Sequence, residues 1–166
     1  MRVGANTGKA WKRGLPVPRE RSVEGGGATG GTALGSAEVR RRIRRADLKA
    51  VGEVRRALRE LLRHRCRPDT ADVAELLVTE LVTNALVHTD QGAEVSASVR
   101  ADRLRVEVRD FNPQRIHPYV PSADDGTHGR GLLLVEALAD AWGVDPLALG
   151  RGKVVWFELD AAGAHM

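Results

Sequence analysis

The sequence predicts an α+β chain folded as a two-layer α/β sandwich, and three observations carry that prediction. Apolar periodicity places the elements in the order β-α-α-β-β-α-β-β. The strand-like runs come as neighbouring pairs and the helices come in blocks, which argues against a doubly wound parallel sheet. The 42% hydrophobic content supports a core, while 29% charged residues and a mean hydropathy of -0.29 exclude a chain of membrane spans. No apolar run approaches the ~20 residues that cross a bilayer. At 166 residues the chain suggests one domain with a tail.

The elements follow in order. Residues 1–36 hold 9 glycines and almost no periodic apolar pattern. Such a segment buries too little to offset its ordering entropy, so disorder is expected there. Trp11 is the only large aromatic in it. The stretch 37–46 alternates weakly through Val39, Arg41 and Ile43, which reads as a basic edge strand or as the start of the next helix. Asp47 offers an N-cap to a helix reaching about His64. Leu48, Val51, Val54, Leu58, Leu61 and Leu62 form its apolar face, and Arg55, Arg56, Arg59 and Arg63 its wet one. That arginine face reads as solvated, or as a surface for an acidic partner. Cys66 follows as a bystander, and a single cysteine excludes both a disulfide framework and a cysteine-based zinc site.

Asp69 or Thr70 caps a second helix over about 70–89. Alternation then predicts strands at 93–101 and 102–110, joined by a tight turn at Asp102-Arg103. Residues 111–128 contain four prolines or glycines and few apolar side chains, so they read as a long loop. A third helix is expected over 129–142, then strands at 142–147 and 153–159.

Three places carry chemistry. In the second helix Leu76, Leu77, Val78, Leu81, Val82, Ala85, Leu86 and Val87 nearly encircle the axis, so burial on most sides is expected. Yet Glu80, Asn84 and His88 form one polar line at i, i+4 and i+8. Burying such groups is costly unless they are paired or face water or a ligand. The line is either a solvent stripe or a ligand-facing one. Gly129 and Gly131 bracket Arg130 just before an apolar helix beginning at Leu132. That reads as an anion cradle of backbone N–H groups or as a plain flexible entry. Asp110 ends a strand and precedes Phe111, Asn112 and Pro113, so its carboxylate could accept from an adenine amino group or cap a turn.

Taken together, E-L-V-T-N-A, R-D-F-N-P, G-R-G-L-x-L-V-x-x-L-A-x-x-W-G and G-K-x-V-W-F-E-L resemble the ATP-binding domain of the GHKL superfamily, the Bergerat fold, over about residues 38–160. More narrowly, they resemble the small bacterial anti-sigma-factor serine/threonine kinases. The resemblance implies a mixed, mostly antiparallel sheet with helices on one face. It implies a domain at 37–161, after a basic Gly-rich segment 1–36 and before a tail 162–166. It implies ATP and Mg²⁺ as cofactors, with Asn84 as the metal ligand and Glu80 as the general base. Asp110 becomes the adenine-recognising aspartate, and Asn84, His88, Asn112, Gly129, Arg130, Gly131 and Leu132 join it as nucleotide contacts. The loop 111–128 becomes the ATP lid. The sequence departs from the family pattern in two ways: D-F-N-P has no glycine, and no threonine stands at Gly152-Lys153-Val154-Val155.

Charge sharpens the expected partners. Residues 1–68 carry 18 basic and 6 acidic side chains, whereas residues 69–166 carry 8 and 16. The net +4 is therefore a +12 front end joined to a -8 remainder. Basic charge confined to the front supports only non-specific attraction to nucleic acid. No apolar leader stands at the N-terminus, so a cytoplasmic location is expected. The resemblance implies transfer of the ATP γ-phosphoryl to a small antagonist protein, sequestration of a sigma factor, or both. A non-catalytic ATP-dependent protein-binding module is the alternative, and such relatives often form homodimers.

Overall fold

A computed structural model describes residues 37–44, 47–88, 90–112 and 130–162. The segment 1–36, the loop residues 113–128, Gly129 and residues 163–166 lie outside the described residues, with the expectations attached to them. Three helices pack on one face of a five-stranded sheet. The elements are β1 (Ala37–Ile43), α1 (Leu48–Leu62), α2 (Pro68–His88), β2 (Ala93–Arg100), β3 (Arg103–Asp110), α3 (Arg130–Leu138), β4 (Ala141–Pro146) and β5 (Lys153–Asp160). The expected element order holds. The sheet order is β1-β2-β3-β5-β4. Every pairing is antiparallel, so the expected mixed sheet is corrected to a fully antiparallel one among the described residues.

Period-two patterning explains the two faces. Ala93, Val95, Ala97 and Val99 of β2, Leu104, Val106 and Val108 of β3, and Val155, Phe157 and Leu159 of β5 are buried towards the helices. Glu94, Arg103, Arg105, Glu107, Arg109 and Glu158 alternate onto the opposite face. There Arg105 bonds Glu107 at 2.7 Å and Glu158 at 2.9 Å, and stacks 4.2 Å above the Trp156 ring. The ring covers Gly143 of β4 and donates Nε1–H to Asp145 at 3.1 Å. This explains why a tryptophan on the helix-free face is almost fully buried.

Asp47 caps α1 as expected, accepting from the Ala50 N–H at 3.2 Å. Val54, Leu58, Leu61 and Leu62 are buried, but Leu48, the first residue of the helix, is 74% exposed. Nor is the arginine face simply solvated. Arg59 forms a two-pronged bond to the buried carboxylate of Glu75 on α2, at 2.5 and 2.8 Å, with Arg55 3.7 Å away. A carboxylate inside a helix pair is costly without such a partner.

The second helix starts at Pro68 rather than at residue 70, since proline suits a first helical position whose N–H has no acceptor. Asp69 thus lies in the first turn instead of capping it. The burial expected on most sides of α2 holds at Leu77, Val78, Leu81, Val82, Ala85 and Leu86, whereas Leu76 and Val87 are exposed. The third helix ends at Leu138, because the next N–H groups turn elsewhere. Ala139 closes the last helical bond to Val135, and Asp140 donates to the Glu158 carbonyl at 3.0 Å, steering the chain onto the sheet edge. No helix among the described residues is long and apolar enough to cross a membrane.

The β2–β3 turn is Ala101-Asp102, one residue earlier than expected, with Arg100 paired to Arg103. Both turn residues have positive φ, 44° and 60°. That matches a primed two-residue hairpin turn, which favours Asn-Gly. Replacing Ala101-Asp102 with Asn-Gly is expected to stabilise the fold by about 1 kcal/mol, the cost of a left-handed alanine. Thermal denaturation of the variant measures it, and an unchanged or lowered Tm counts against the assignment.

Candidate functional site

The site residues gather at one end of the sandwich because of how α2 crosses the sheet. Its first turn is tied to the far end of β5, where the Thr70 hydroxyl donates to the Asp160 carbonyl at 3.5 Å. Its C-terminal half therefore lies towards the start of β5, at Lys153. Asp110, the last residue of β3, pairs in register with Lys153 on one side and Ala93 on the other. The chain leaving α2 enters the sheet at that same Ala93.

Glu80 and Asn84 are half-buried on α2. Neither side chain has a hydrogen bond or ion pair with another described residue, and among the described residues no buried side-chain polar atom is left unsatisfied. They are accessible groups rather than structural ones. Facing them is Gly131, buried in the first turn of α3. A Cβ there would overlap the Asn84 amide and stand 3.5 Å from Glu80 Cβ. Glycine here leaves room for the Asn84 amide directly against the first turn of α3. The structure thus brings together Glu80, Asn84 and Gly131, three residues singled out in the sequence. Leu132 is half-buried beside them against the core. His88 ends α2 and Arg130 begins α3, as expected for their positions, but their side chains and Gly129 are outside the description.

Asp110 is buried, at 4% exposure, and its two oxygens have different partners. Oδ1 accepts the Asn112 N–H at 3.1 Å, which makes it a turn cap. Oδ2 accepts from Lys153 Nζ at 2.6 Å. Gly152 permits this pairing: its φ is +133°, and a Cβ would run into the Asp110 carbonyl. Sequence reasoning missed Lys153. The signal was present, since alternation in both strands puts Asp110 and Lys153 on the core face at facing strand ends. Glu75 was missed too, though Arg55 and Arg59, one turn apart on α1, point to an acid on the helix beside them.

Two other chemistries find no support. Burial pushes the Cys66 thiol up, and Sγ points at the Leu62 carbonyl 3.7 Å away, so it is no thiolate nucleophile at neutral pH. Among the described residues no three His, Cys, Asp or Glu side chains gather to hold a metal. A hard cation here would need most of its oxygens from a bound ligand and water, which is how Mg²⁺ is commonly held beside phosphates. Asn84 fits such a site, since its amide is accessible and neighbours the N-terminal turn of a helix, where anions are favoured. A groove of about 350 Å³ lined by Arg40, Arg42, Glu94 and Arg109 lies on the helix-free face and touches none of these residues.

The family model of the histidine kinase-like ATPase domain matches residues 44–158, well over half of the chain. The chain belongs to this family. The matched span contains Glu80, Asn84, Asp110, Gly131 and Lys153. A histidine kinase-like ATPase domain is an ATP-binding domain, and the sandwich of helices on an antiparallel sheet agrees with its fold. Comparison with curated proteins found no match.

Two glycine substitutions separate site geometry from helix propensity. Gly131→Ala is expected to cost about 1–3 kcal/mol through overpacking against Asn84. It should also weaken Mg·ATP binding at least about tenfold in a calorimetric titration. Gly52, on the exposed face of α1 with nothing within 4 Å of a built Cβ, is the control. Gly52→Ala should stabilise by about 0.5–1 kcal/mol and leave ATP binding unchanged.

Proposed function

We propose that this protein is a cytoplasmic ATP-dependent regulator that transfers the γ-phosphoryl of ATP to a serine or threonine hydroxyl of a small antagonist protein. Binding and sequestration of a sigma factor belongs to the same reading. The nucleotide-binding domain spans 37–161, and the basic segment 1–36 precedes it without a role in reading nucleic-acid sequence. Pairing of two copies is compatible with this activity and not required by it.

One observation carries the reading. Glu80 and Asn84 stand one helical turn apart, accessible and without partners among the described residues, against the close-packed start of α3. Asn84 supplies a carbonyl oxygen for Mg²⁺. The ion, when bound, neutralises charge on the phosphates. Glu80 takes the proton of the incoming hydroxyl as the hydroxyl oxygen bonds the γ-phosphorus, while the bond from that phosphorus to the bridging oxygen breaks and the bridging oxygen leaves with ADP. Backbone N–H groups around Gly131 and the guanidinium of Arg130 hold phosphate oxygens. Asp110 accepts from the adenine amino group, with His88, Asn112, Gly129 and Leu132 completing the contacts. Site chemistry of this kind does not need net positive charge, which suits a region whose own balance is -8.

A second reading has its own observation. Asp110 already holds a turn and an ion pair, and D-F-N-P has no glycine to ease its approach to a base. A site built this way could bind ATP only to set its affinity for a partner protein, without transfer.

Transfer from γ-labelled ATP to the candidate antagonist, taken from the neighbouring reading frames, decides between them. Under the first reading Glu80→Gln keeps Mg·ATP binding within about threefold and cuts transfer by a factor of about 10²–10⁴. Asn84→Ala abolishes both. Binding without transfer in the unmodified protein leaves the second reading, and absence of ATP binding refutes both.

A further inference from the structure

We propose that Lys153 is a base-reading residue of the nucleotide site, donating to the ring nitrogen N1 of adenine while Asp110 accepts from the neighbouring amino group. The inference rests on the ATP-binding reading given above and adds to it the residue that selects the base.

The ion pair is the starting point. Lys153 and Asp110 face each other across β3 and β5, their side chains 18% and 6% exposed, with Nζ 2.6 Å from Oδ2. Two opposite charges withdrawn this far from water are not a stabilising device in themselves, because desolvation offsets most of their attraction. An apolar pair would fit the ends of two core-facing strands as well. The pair also uses little of what it offers. An ammonium carries three N–H donors, and among the described residues Lys153 engages one. The carboxylate has about four acceptor sites, and two are taken.

What remains is an acceptor and a donor side by side at the site end of the sheet. Adenine presents the complementary pair on one edge, an amino donor at position 6 and the N1 acceptor beside it. With Asp110 on the amino group, the proposed pairing sets Lys153 against N1 rather than N7, the ring acceptor on the amino group's other side. Guanine presents the reverse order there, a carbonyl oxygen at position 6 and an N–H at position 1. Seated in the same orientation, it would set its N1–H donor against the Lys153 ammonium and its carbonyl oxygen against the Asp110 carboxylate. Gly152 holds the arrangement in place: its backbone lies so close to Asp110 that no side chain fits, which keeps the first residue of β5 opposite the last residue of β3.

The test is equilibrium binding to the full chain with Mg²⁺ present, using ATP, GTP and 1-deaza-ATP, which keeps the amino group but lacks N1. The unmodified protein is expected to bind 1-deaza-ATP and GTP about ten to a hundred times more weakly than ATP, the loss for an unmet charged donor. Lys153→Met should bind ATP and 1-deaza-ATP with one and the same weakened affinity. Lys153→Arg, which keeps a donor, should retain the preference for ATP. Equal affinity of the unmodified protein for ATP and 1-deaza-ATP overturns the proposal, as does an undiminished N1 preference in Lys153→Met or a preference for GTP. Should Lys153→Met fail to fold, the analogue comparison on the unmodified protein and on Lys153→Arg decides alone. Failure of the unmodified protein to bind any of the three nucleotides refutes the ATP-binding reading itself.

Discussion

The close approach of α3 to α2 at Gly131 constrains everything else at the functional end of this protein. Helices normally keep their axes 8–10 Å apart because side chains intervene. Here the first turn of one helix meets the Asn84 amide and the Glu80 stem of the other with no side chain between them. The contact orients two polar residues of α2 and places the N–H groups of α3 beside them. It also fixes where the segment between β3 and α3 must end. A side chain at 131 would displace the Asn84 amide from the helix start.

The sheet contributes the opposite half by a different device. Burial in period two locks β3 and β5 in register, so a slip of one residue would expose Val155, Phe157 and Leu159 together. That lock delivers Asp110 and Lys153 to facing positions without any need for the two to attract each other. The helix-free face is independent of this and is organised around Trp156, held between Gly143 and Arg105.

Most of the fold was legible in the sequence because periodicity and turn chemistry agree along the chain. Element ends differ from expectation by up to four residues, and the reasons are local. Pro68 opens α2 early, Asp140 leaves α3 for β5, and Ala101 accepts a left-handed conformation that composition does not advertise. Within the site, Glu80, Asn84 and Gly131 were legible because a polar line on an apolar helix and a G-x-G run are visible one segment at a time. The Lys153–Asp110 and Arg59–Glu75 pairs were not, since each joins residues from separate elements and exists only once strand register and helix packing are set. The arginine face of α1 shows the limit well, because a solvated stripe and a clamp on a buried acid look identical in sequence.

The strand register has one more consequence. Asp110 and Lys153 are ordered by the same burial that folds the sheet, so their arrangement exists before any nucleotide arrives. A ligand meeting them need not supply the conformational entropy of organising that part of its site, whereas contacts from loops carry that cost at the moment of binding. Under the proposed assignment, the end of the site that reads the base is set during folding.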